Sequence, residues 1–152
     1  VRMFVLVLST AGLISLFFSL LLAIAGPLIV LVWSGGHIVA SRELMAAIAL
    51  SSLCGGLWNP VSNLMLAVNQ QAKFAIAFVV LALTGVFMTF AFGAQSGSAF
   101  AAIVLAVLDF LMLVIVLKFA RQNWGSPKEW RDALRGMSGE ARHEVWRLIK
   151  RR

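Results

Sequence analysis

Four stretches of this chain are almost free of charge, and the polar residues between them gather in short clusters. The apolar stretches cover residues 3–33, 44–68, 74–92 and 99–119. None alternates with a period of two, the pattern that a barrel strand keeps for about 10 residues. Each instead is close to or longer than the roughly 20 residues with which a helix crosses a hydrocarbon core of about 30 Å. The pattern predicts an all-α fold. Residues 1–120 form a polytopic transmembrane helix bundle of four spanning helices, and residues 121–152 a basic, partly helical cytoplasmic tail.

The four segments differ. The first, at roughly 30 residues, is longer than a bilayer core requires, so it tilts, bends or protrudes. Gly26-Pro27 is its candidate hinge, because proline removes a backbone donor and crowds the preceding turn. Trp33 marks the interface, and Ser34-Gly35-Gly36-His37 reads as a turn. The second segment follows Arg42-Glu43 and pairs Ser51 with Gly55 and Ser52 with Gly56. Small residues four apart give one face on which another helix can approach closely. Asn59-Pro60 then interrupts the ladder, which makes Pro60 a second hinge candidate and this segment the least regular. Residues 69–73 read as a polar turn and residues 93–98 as an uncharged one.

Composition agrees with this reading. Hydrophobic residues make up 61% and charged residues 12%, where a soluble domain has roughly half and a quarter. Between Arg2 and Lys118 the charged side chains are Arg42, Glu43, Lys73 and Asp109. Ten Lys and Arg lie from Lys118 onward, and the positive-inside rule then places the tail in the cytoplasm with Arg42 outside. The net charge of +7 is therefore a sign of topology, and no nucleic-acid partner is expected. The chain enters its apolar run at Val1 without the basic start and cleavage site of a signal peptide. It reads as a piece of a longer protein with further helices upstream.

In the tail, Ser126-Pro127-Lys128-Glu129 has the form of a capping box, with Gly136 as a stop. Ser138-Gly139-Glu140 opens a second helix to about Lys150. Trp130 and Leu134 share a face of the first, and Ala141, Val145, Leu148 and Ile149 a face of the second. Arg131, Arg135, Arg147 and Lys150 flank these faces, a pattern that suits helices lying on anionic lipids. A solvated tail is the alternative.

Few residues carry candidate chemistry. Asp109 sits near the centre of the fourth segment, where a carboxylate is costly and must face the bundle interior or an aqueous cavity. It is either a proton or sodium relay, a ligand for a polar substrate, or a structural hydrogen-bond acceptor for an upstream helix. Asn59, Pro60 and Asn63 form a second group, a proline break that serves either as a transport element or as a simple kink. His37 and Arg42 lie in the external turn and read as solvated. Cys54, the single cysteine, reads as a small core residue. No nucleotide loop, zinc motif or activated serine is recognisable, so neither an enzyme nor a metal or other cofactor is expected.

Two runs resemble a known family. The first is Gly26-Pro27-Leu28-Ile29-Val30-Leu31-Val32-Trp33-Ser34-Gly35-Gly36, a glycine, an apolar run, a tryptophan and a small-residue turn. The second is Trp58-Asn59-Pro60 followed by Leu64-Met65-Leu66-Ala67-Val68-Asn69-Gln70-Gln71-Ala72-Lys73. Over residues 1–120 the order of these features resembles the C-terminal part of the polysaccharide flippases, the O-antigen and exopolysaccharide exporters of the multidrug/oligosaccharidyl-lipid/polysaccharide superfamily. The resemblance implies two six-helix bundles around a central cavity, moving an undecaprenyl-diphosphate-linked oligosaccharide across the inner membrane during lipopolysaccharide or other cell-surface polysaccharide biosynthesis. It implies cationic residues that hold the diphosphate. No Lys or Arg lies mid-span here, so those would belong to the upstream helices of the same transporter. An ion-coupled multidrug exporter of the same superfamily, with Asp109 as coupling carboxylate, and a non-transport membrane scaffold subunit remain alternatives.

Overall fold

The computed structural model describes residues 2–67 and 71–136, and every regular element among them is helical. Helix α1 is Arg2–Trp33 and α2 is Arg42–Ala67. The long helical stretch Gln71–Trp124 contains one non-helical residue, Gly97, with φ 74° and ψ −176°. Gly97 divides it into α3, whose apolar part is Phe74–Gly93, and α4, Gly97–Trp124. A short α5 occupies 127–136. Helices α1 to α4 are each long and apolar enough to cross a membrane, so the chain is built as a multi-pass membrane protein. The expected second tail helix, with Arg147 and Lys150, lies outside the described residues.

Local sequence explains most of the helix ends. Gly35 and Gly36 take positive φ of 63° and 86°, and the Gly36 N–H returns to the Leu31 carbonyl at 2.8 Å, closing α1 with a left-handed cap. Ser41 caps α2, its Oγ accepting the Leu44 N–H at 3.1 Å. The uncharged turn expected over residues 93–98 is tighter than its composition suggests, because helix persists up to the single left-handed Gly97.

Neither proline interrupts its helix. Pro27 and Pro60 both sit inside unbroken elements, contrary to the expectation of an irregular second segment. A proline costs one bond of the ladder, and the flanking turns remain the best partners for their own backbone in an apolar medium. Around Pro60 side chains add bonds of their own. The Asn59 amide donates to the Gly55 carbonyl at 3.0 Å and the Ser62 hydroxyl to the Asn59 carbonyl at 2.6 Å.

Helix α2 is the central element, with α1 on one side and α4 on the other. The α1–α2 seam is antiparallel: Gly12 meets Leu57, Ser15 meets Gly56, and Gly26 meets Met45. The buried Ser19 hydroxyl donates across it to the Ala49 carbonyl at 2.6 Å. At Gly56 a Cβ would lie 1.9 Å from Ser15 Oγ and 2.7 Å from Ser15 Cβ, so a glycine is required for this approach. The small residues of α2 thus form two faces where one was expected. Gly56 faces α1, while Ser51 and Gly55 face α4, because neighbouring residues on a helix point about 100° apart.

Helices α3 and α4 form an antiparallel hairpin in which Gly85 lies against Leu108 and Phe92 faces Phe100 at 6.4 Å between ring centroids. The main buried cluster sits where α1 begins and α2 and α4 end, around Phe4, Val61, Met65, Met112, Val116 and Ala120. Elsewhere large apolar side chains such as Leu13, Phe17, Ile24, Leu83 and Phe90 point outward, as a lipid solvent demands.

The α1–α2 seam gives a direct test. Gly56→Val should lower thermal stability in detergent by about 1–3 kcal/mol through overpacking against Ser15. The pair Ser15→Gly with Gly56→Ala should recover most of that loss, and unchanged stability of Gly56→Val would show that the helices are not this close.

Candidate functional site

Asp109 lies near the middle of α4, half-buried, on the side that meets α2. Both of its oxygens are used by α2. The Ser51 hydroxyl donates to Oδ2, and the Trp58 indole N–H donates to Oδ1 at 3.0 Å. Ser51 and Trp58 are two helical turns apart and so share one face. Gly55 lies between them, with the carboxylate about an ordinary van der Waals contact away, at 3.8 Å from where a Cβ would stand. Charge-assisted bonds of this kind are the means by which a membrane interior tolerates an acid.

Trp58 also carries the site towards α3. Its ring is almost fully buried and packs at 5.9 Å from the Phe74 ring and 5.8 Å from the Phe78 ring. One side chain therefore binds the α4 carboxylate through its nitrogen and braces α3 through its face. Cys54 is buried on α2 as a free thiol, in keeping with its reading as a core residue.

Beyond Asp109 a cavity of about 630 Å³ opens between α3 and α4. Its walls include Phe78, Gly85 and Phe90 from α3 and Val104, Leu108 and Met112 from α4. Thr89 and Asp109 are its polar side chains. A volume of this size holds a small amphiphile or a stretch of lipid chain. An ionised carboxylate has about four acceptor positions and α2 fills two, which leaves capacity for a cation or a proton on the cavity side.

The structure gathers only part of the expected constellation. Asn59 and Asn63 are both exposed and do not bond to Asp109; the Asn59 amide is satisfied by its own helix. Gly26 meets Met45 of α2, away from the carboxylate, and Pro27 follows it inside α1. Arg131 and Arg135 are exposed on α5, and His37 and Arg42 are exposed at the α1–α2 turn. Asp109 was expected to find its partners on upstream helices, and it finds them on α2 of this chain. Ser51 and Trp58 were not foreseen in that role. The stripe Ser51, Gly55, Trp58, at spacings of four and three, was the available signal, since it sets a hydroxyl and an indole on one face. Among the described residues no group of three or more His, Cys, Asp or Glu is placed to hold a metal ion, and no buried side-chain nitrogen or oxygen lacks a partner.

No protein-family profile matches this chain, and no curated protein or solved structure is significantly similar to it.

The bond between Trp58 and Asp109 can be measured by a double-mutant cycle of Trp58→Phe with Asp109→Asn. A coupling of about 0.5–2 kcal/mol is expected, in the range for polar contacts between membrane helices. A coupling near zero would mean that the indole and the carboxylate do not meet.

Proposed function

We propose that this chain is part of a membrane transporter, a flippase that moves a lipid-linked oligosaccharide or polysaccharide precursor across the cell inner membrane, with its C-terminus cytoplasmic. The observation that carries the reading is the position of Asp109. It is tied to α2 by two hydrogen bonds and stands on the wall of an apolar cavity between α3 and α4. A titratable group so placed links proton or cation occupancy to the contact between helices, which is what a coupled transporter requires. The apolar walls suit the isoprenoid chain of an undecaprenyl-type carrier. The resemblance of the glycine, tryptophan and asparagine pattern to that of polysaccharide flippases supports the same class. On this reading the cations that hold the diphosphate belong to further helices of the transporter, and the chain performs no covalent chemistry. The basic residues from Lys118 onward support the cytoplasmic tail.

One observation favours a second reading. An apolar, partly aromatic cavity with a single carboxylate on its wall also fits a lipophilic cation, the substrate class of an ion-coupled multidrug exporter.

The flippase reading is tested by Asp109→Asn in cells that depend on this protein for surface polysaccharide. At normal protein level, export should fall at least tenfold, while Asp109→Glu should retain part of it. Normal export by Asp109→Asn would reduce the residue to a structural role. Uptake of tetraphenylphosphonium by vesicles separates the two readings: the flippase leaves it unmoved, whereas the drug exporter drives it out in an Asp109-dependent way.

A further inference from the structure

At the end of α4 the chain turns sharply and docks. Gly125 takes φ +89°, and a Cβ there would lie 1.8 Å from Glu129 Oε2. The expected capping box starts α5: Glu129 Oε2 accepts the Ser126 N–H at 2.7 Å, and Ser126 Oγ accepts the Glu129 N–H at 3.5 Å. Phe4 at the start of α1 then holds two tryptophans. Its ring is 4.9 Å from Trp124, nearly stacked, and 4.9 Å from Trp130, tilted. The Trp130 indole N–H donates to the Trp124 carbonyl at 2.9 Å. Trp130 and Ala133 are thereby packed against the buried cluster, so α5 is fixed to the end of the bundle.

The remaining faces of α5 are sorted by charge. Going round the helix from the docked Trp130 and Ala133, with about 100° per residue, one meets Leu134, then Arg131, Arg135 and Lys128, then Asp132 and Glu129. Leu134 is 43% exposed, and the three cations are exposed as well. Lys118 and Arg121 add two exposed cations at the end of α4. Glu129 is engaged in the cap. Leu134 thus stands beside the docked face with Arg131 next to it, Arg135 and Lys128 lie across the helix from that face, and the acids complete the circle back to Ala133. An exposed apolar residue continued by a run of cations is a feature of helices at a lipid–water boundary.

We propose that α5 is a binding surface for anionic phospholipid. Lys128, Arg131 and Arg135 hold phosphate headgroups of the leaflet at the C-terminal end of α4, and Leu134 enters among the acyl chains. Charge complementarity names the occupant: each cation near an anionic surface adds roughly fivefold to binding. The aromatic clamp through Phe4 makes the surface rigid, so lipid binding is passed to the ends of α1 and α4.

The full-length chain in detergent, offered phosphatidylglycerol and phosphatidylcholine in equal amounts, can be read by native mass spectrometry. The parent should retain phosphatidylglycerol preferentially. Lys128→Gln with Arg131→Gln and Arg135→Gln should lower that preference by roughly tenfold or more. Each single variant should lose a few-fold, so the result does not depend on one protein's folding. Lys128→Arg with Arg131→Lys and Arg135→Lys should behave as the parent, and so should Asp132→Asn. Inorganic phosphate at matched concentration should not displace the lipid. A parent without preference, a triple Gln variant that keeps it, or displacement by phosphate would overturn the assignment.

Discussion

A carboxylate in the middle of an apolar helix has to be matched by the protein around it, and the arrangement of this bundle follows from how Asp109 is matched. One face of α2 must carry donors towards α4, and Ser51 and Trp58 are those donors. With that face committed, the opposite side of α2 is left for α1, where Gly56 and Ser15 allow close contact. Trp58 then extends the arrangement to α3 through Phe74 and Phe78. The least apolar of the four spanning helices is therefore the central one.

Packing is uneven along and across the bundle. It is densest where α1 begins and α4 ends, around Met65, Met112 and Val116. Towards α3 it thins: among the described residues of Phe74–Gly93 only Gly85 is buried, and the cavity lies between α3 and α4. Asp109 thus lies at the boundary between the α2–α4 contact and the more thinly covered α3. On the proposed transport reading, protonation or cation binding at that boundary weakens or strengthens the hold of α2 on α4.

Most of the architecture was legible in the sequence because the bilayer imposes a length and a polarity on each segment. The four spans, the capping box at Ser126 and the special status of Asp109 all follow from that constraint. The prolines misled, because a missing hydrogen bond is a local cost that flanking turns and side chains such as Asn59 and Ser62 can absorb. The partners of Asp109 were hidden for a different reason. A serine and a tryptophan in an apolar helix each have ordinary interface or packing roles, and only the register of α2 against α4 turns them into donors. The aromatic joint of Phe4, Trp124 and Trp130 was equally out of reach, since it joins the two ends of the described chain.

The central claim is that α2 holds the α4 carboxylate through Trp58. The five tryptophans give five indole N–H signals in the ¹⁵N-labelled protein, which makes the claim directly observable by nuclear magnetic resonance. Asp109→Asn should shift the Trp58 signal strongly and leave those of Trp33, Trp124 and Trp130 nearly in place. A Trp58 signal that does not respond to the loss of the carboxylate would contradict the account.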